Sequence, residues 1–135
     1  MVAAVRPYGE GDNSFQSAGG FEGLQKLSAS FYGYMDSLPE AQVIRAMHPQ
    51  EQEESVDKLA RFLCGWLGGP KLYREKYGPI AIPRAHAHLA IGSPERDAWL
   101  LCMARALAEQ PYADDFQVYV LEQLFTPADR SRTKP

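Results

Sequence analysis

The stretch Ile82–Met103 constrains this chain more than any other, because it joins a histidine-bearing, otherwise apolar segment to a helix through one abrupt break. Gly92 interrupts the pattern. Ser93 then offers an N-cap, Pro94 suits the first helical position, and Glu95 complements the positive end of the helix dipole. Trp99 lies inside that helix, so an imidazole and an indole are joined by a short connection. A neutral imidazole is a good ligand for iron, zinc or copper. It is equally at home as an ordinary hydrogen-bonded core or surface residue. The segment carries two histidines, His86 and His88. On a helix, residues two apart point about 200° from one another and cannot share a site, whereas on a strand they can.

Helical spacing dominates the rest. Leu24, Leu27, Phe31, Tyr34 and Leu38 recur at threes and fours and predict a helix from Phe21 to about Leu38, which Pro39 ends. Glu40 to Met47 reads as a short helix closed by His48-Pro49. Glu51 to Leu67 is the most clearly amphipathic segment: Val56, Leu59, Phe62, Leu63, Trp66 and Leu67 form one stripe, and acids and bases fill the remainder. Gly68-Gly69-Pro70 stops it. A long, weakly patterned linker follows, of a kind unusual in an ordinary helical bundle. Pro94 to about Gln110 is the helix of Trp99, with Leu100, Met103 and Leu107 on its core side. After Pro111, Asp114 or Asp115 caps a last helix containing Phe116, Val118, Val120, Leu121 and Leu124. Residues 1–13 read as a flexible N-terminal arm, 14–125 as the folded domain, and 126–135 as a frayed C-terminal tail.

A chain of 135 residues with 45% apolar side chains is one domain with a real core. Its net charge of -3, with mixed signs, gives no nucleic-acid surface. No apolar run of about 18 residues predicts a membrane span, and the first residues lack a leader-like pattern. Cys64 and Cys102 fall in apolar helical segments, where buried reduced thiols are expected. Together these predict a cytoplasmic protein that engages neither nucleic acid nor membrane.

The order His86, Ile91, Glu95-Arg96-Asp97-Ala98-Trp99 resembles the proximal half of a group II truncated haemoglobin without a gap. The Gly19-Gly20 turn, the pair Phe31-Tyr32, the G-G-P-x-x-Y string at Gly68 to Tyr73, and the thirteen residues from Tyr73 to His86 extend the resemblance across most of the chain. It implies an all-α fold, the truncated globin-like two-over-two helical sandwich, around haem b. His86 is then the iron ligand and His88 is not. Leu89 stands where the family often has phenylalanine, keeping an apolar wall. Tyr32, His48 and Trp99 become the donors on the ligand side. Leu59 and Phe62 line the cavity with Phe31, Ile91 and Met103, and Ser55 sits at the gate, where a small side chain leaves a route for gases. Lys58, Tyr73 and Arg84 are the candidate propionate partners.

The function this implies is reversible binding of dioxygen and other diatomic ligands (NO, CO). Each well-aimed donor would stabilise a partly negative ligand by about 0.5–1.5 kcal/mol, and each 1.4 kcal/mol is about tenfold in release rate. Slow release suits NO dioxygenase- or peroxidase-like chemistry, fed by a reductase or other electron donor, better than bulk oxygen transport. Two other readings compete. One is a cofactor-free helical interaction module whose cleft takes a partner protein. The other is a zinc protein using His48, His86 and a cysteine, although no C-x-x-C or H-E-x-x-H spacing supports it.

Overall fold

The structure, a computed structural model, describes residues 8–48, 50–79 and 89–133. Their helices are α1 (Asn13–Ser17), α2 (Gly20–Ser37), α3 (Gln42–Ala46), α4 (Glu53–Trp66), α5 (Leu72–Tyr77), α6 (Ser93–Glu109) and α7 (Asp114–Arg130), with a 3-10 turn at Pro39–Ala41. Helix α2 packs on both α4 and α6, and α6 packs on α7. The architecture is therefore the two-over-two helical sandwich that the sequence led us to expect, with α2 and α4 in one pair and α6 and α7 in the other.

The core follows from the stripes. Leu24, Leu27, Phe31 and Met35 of α2 are fully enclosed, as are Leu63 of α4 and Phe116, Val120 and Leu124 of α7. On α6 the buried face is mostly small. Ala98, Cys102 and Ala106 repeat at every fourth residue beside Met103 and Leu107, which lets α6 approach α2 closely. Leu100, read from spacing as part of the core side, is only partly buried, because the small residues take its place. Val118 faces outward at 53% exposure.

Glycine is needed where the chain reverses. Gly19 and Gly20 take positive φ angles of 85° and 68°, turning α1 into α2. Gly68 has φ 95°, and a Cβ there would lie 2.1 Å from the carbonyl oxygen of Gly11. The Gly68-Gly69 pair is thus the place where the N-terminal segment crosses the end of α4, with the Phe15 amide donating to the Leu67 carbonyl at 3.1 Å.

Several boundaries differ from the sequence reading: Ala113, not Asp114 or Asp115, is the N-cap of α7, and α4 begins at Glu53 rather than Glu51. Tyr8–Asn13 is docked: Tyr8 packs edge-on against Phe116 at 5.3 Å and donates to Asp115 at 3.0 Å. Helix α6 starts at Ser93, so Gly92 takes the N-cap position expected for Ser93; the Glu95 carboxylate reaches back to accept from the Gly92 amide at 2.7 Å. Helix α7 continues through Pro127 to Arg130, where a frayed tail was expected. Tertiary partners explain that extension: the Asp129 carboxylate accepts from Arg96 and Arg132, both at 2.8 Å.

Candidate functional site

Three side chains expected on the ligand side come from three different elements and are linked in one row of rings through Phe31. Phe31 of α2 is 5.0 Å from Tyr32 and 5.0 Å from Trp99 of α6. Tyr32 is in turn 5.6 Å from His48, just past the end of α3. Phe31 and Met103 are both at 0% exposure, so they stand behind the cavity wall as its support, whereas the sequence reading set them on its surface. The His86 segment is outside the described residues, and with it His88 and Arg84.

Burial pushes the Tyr32 phenol up to about 12, with the Ser55 hydroxyl and the Arg45 charge acting the other way. The phenol therefore keeps its hydrogen throughout the neutral range. His48 behaves differently from the sequence reading. Its Nδ1 lies 2.8 Å from the Ile44 carbonyl oxygen, which can only accept, so Nδ1 carries the ring hydrogen. In the neutral ring Nε2 is then an acceptor. Of the three donors the resemblance implies, a neutral His48 would therefore present an acceptor instead.

Helix α4 carries two adjacent apolar stripes. Ala60, Leu63, Cys64 and Leu67 are buried toward the core. Val56, Leu59, Phe62 and Trp66 remain only partly buried, with Phe62 and Trp66 stacked at 6.4 Å. A 14-residue helix that leaves aromatic and aliphatic side chains half covered along one face offers a wall for a large flat apolar group. Covering it would be worth several kcal/mol at about 25 cal/mol per Å². Ser55 is half-buried on the first turn of the same helix. Beside it, a cleft of about 500 Å³ between α2 and α4 is lined by Gln25, Ala29, Tyr32, Gln52, Glu53, Val56 and Asp57.

The cationic candidates are engaged locally. Lys58 pairs with Glu54 at 3.1 Å and lies over the Tyr77 ring at 5.2 Å, while Tyr73 packs on Tyr77 at 5.1 Å. A residue missed from the sequence organises this corner. Asp57 accepts from Arg61 at 2.9 Å, Lys76 at 2.8 Å and Tyr77 at 2.7 Å, which binds α5 to α4. The Asp57–Arg61 spacing of four was a visible signal; the α5 partners were not.

Each residue of Glu95-Arg96-Asp97-Ala98-Trp99 acquires a physical role here. Glu95 caps α6, Arg96 pairs with Asp97 and with Asp129, Ala98 is buried in the core cluster, and Trp99 seats on Phe31. Leu89 and Ile91 begin the described chain before α6; Ile91 is buried and Leu89 half-buried. The cysteines are free and buried, Cys64 donating to the Pro70 carbonyl at 3.1 Å and Cys102 pushed up to about 11 by burial, so both are protonated thiols rather than metal-ready thiolates.

The two-over-two helical sandwich, with its row of aromatic rings and a half-covered apolar stripe on α4, is the architecture of a truncated globin. The family described as bacterial-like globin matches residues 13–128, and the chain belongs to it. It is 33% identical over 99 residues, 73% of each chain, to the group 2 truncated hemoglobin YjbI of Bacillus subtilis. Among solved structures, the group II 2-on-2 hemoglobin from the plant pathogen Agrobacterium tumefaciens is 32% identical, with a TM-score of 0.84 over 98% of both chains. The group II truncated hemoglobin from Bacillus anthracis is 28% identical, with a TM-score of 0.83 over 90% of this chain and 92% of that one. The protein is a haem-binding globin whose cofactor is haem b, and the interaction-module reading gives way to it. No helix among the described residues is long and apolar enough to cross a membrane.

Proposed function

We propose that His86 is the iron ligand, and that Tyr32 and Trp99 retain a diatomic ligand for O2/NO chemistry rather than for bulk transport. The observation carrying this reading is the continuous row of His48, Tyr32, Phe31 and Trp99, which joins the α3 end, α2 and α6. Haem iron, when bound, supplies an open coordination position for O2, NO or CO. The chain supplies the rest. Tyr32 is a permanent hydrogen donor because burial keeps it protonated. Trp99 adds the indole hydrogen, held at its angle by Phe31. Leu59, Phe62, Leu89 and Ile91 supply apolar walls, and Ser55 with the cleft beside Tyr32 supplies a gas route. Lys58, Tyr73 and Arg84 are the propionate candidates.

Two donors at about 0.5–1.5 kcal/mol each slow ligand release by about tenfold or more, which disfavours unloading and favours NO dioxygenase- or peroxidase-like turnover. Such turnover requires a reductase or other electron donor. Two free cysteines held as thiols are in keeping with a reducing, cytoplasmic setting. The oxygen off-rate is expected to rise about fivefold to tenfold in Tyr32→Phe and in Trp99→Phe, and further in the double variant. Rates equal to wild type in all three would remove the donor argument. Separately, His86→Ala is expected to lose the intense haem absorption or hold haem loosely, while His88→Ala keeps it; the reverse outcome would exchange their roles.

A further inference from the structure

The backbone just before α6 is tied to residues more than forty positions away. The Thr133 hydroxyl accepts from the Ile91 amide at 2.8 Å and donates to the Leu89 carbonyl. The Thr133 amide donates to the Ile91 carbonyl at 2.7 Å. One residue thereby engages three backbone groups of Leu89–Ile91, in the manner of a short strand pair. The approach of Thr133 is set by its neighbours. Asp129 accepts from Arg132 at 2.8 Å and from Arg96 at 2.8 Å, and the Arg96 guanidinium lies 5.0 Å over the Phe125 ring. Arg96 is 17% exposed, so this pairing is partly shielded from solvent.

We infer that residues 129–133 form a strap on the Leu89–Ile91 backbone, with Thr133 as the positioning residue, and that this strap governs how firmly haem is held. This rests on the assignment of His86 as ligand. His86 precedes Leu89 by three positions, a reach of at most about 11 Å, so an anchor on the Leu89 carbonyl acts within a short span of chain from the proposed ligand. The single hydroxyl is donor and acceptor at once. Serine can reproduce that and valine cannot, although both are close in size to threonine.

The test uses the full-length haem protein and two readouts, the iron–histidine stretching band of the reduced form by resonance Raman and the rate of haem transfer to apomyoglobin. Thr133→Val is expected to shift or broaden the band and to speed haem transfer about tenfold, with Thr133→Ser close to wild type in both. Asp129→Asn is expected to move both readouts in the same direction as Thr133→Val, by less. Unchanged band and transfer rate in Thr133→Val would overturn the strap. So would equal loss in Thr133→Val and Thr133→Ser, since the hydroxyl would then not be what matters. The His86 assignment fails on a different result: a retained iron–histidine band in His86→Ala.

Discussion

The carbonyl of Ile44 fixes the tautomer of His48 by accepting from Nδ1 at 2.8 Å, and Tyr32 lies 5.6 Å away ring to ring. A neutral His48 therefore presents an acceptor at Nε2, and only the protonated ring presents a second hydrogen. Tyr32 stays a donor, since burial holds its phenol protonated up to about 12. His48→Phe removes that acceptor and is thus expected to change the oxygen off-rate far less than Tyr32→Phe does, as read by stopped-flow. The family resemblance implies that His48 stands near the ligand, but a tautomer depends on which carbonyl the ring meets. That carbonyl belongs to α3, whose end geometry is not written in residue types.

Between elements, Asp57 matters more than its place on a solvated helix face implied. Loss of solvent works to raise its carboxyl, but hydrogen bonds from Lys76, Tyr77 and Arg61 outweigh this and hold it down to about 2, against an ordinary 3.8. The stabilisation is present above about pH 4 and disappears as pH falls toward about 2, because the unfolded carboxyl takes up its proton first. Asp57→Asn is expected to lower stability by about 1 kcal/mol at neutral pH, after allowing for solvent screening, with the difference from wild type closing in acid. Urea unfolding at several pH values measures this. The interhelix contacts of α6 show the same limit on reading. The spacing of Met103 and Leu107 marked a core side. The stripe of Ala98, Cys102 and Ala106 carries little hydrophobic signal, yet it is what allows α6 to sit close to α2.

For the molecule as a whole, periodicity and breakers in the sequence determined where helices form and where they stop. Leu24, Leu27 and Phe31 are enclosed as their spacing predicts, while Met35 completes that buried side of α2 and Tyr34 and Leu38 are only partly buried. Gly68-Gly69 ends α4 because only glycine tolerates φ 95° with a backbone crossing 2.1 Å from a Cβ. The family resemblance, carried by His86, the Gly-Gly-Pro string and Glu95-Arg96-Asp97-Ala98-Trp99, was equally legible. Tertiary structure alone decided the rest: which stripe of α4 stays half covered, which hydrogen His48 presents, and why residues 126–133 are docked instead of frayed. Those outcomes hang on partners such as Thr133 and Ile91, 42 positions apart, or Arg96 and Asp129, 33 apart. Local sequence encodes propensity over a few residues, whereas a hydrogen bond between distant groups forms only after packing has brought them within about 3 Å.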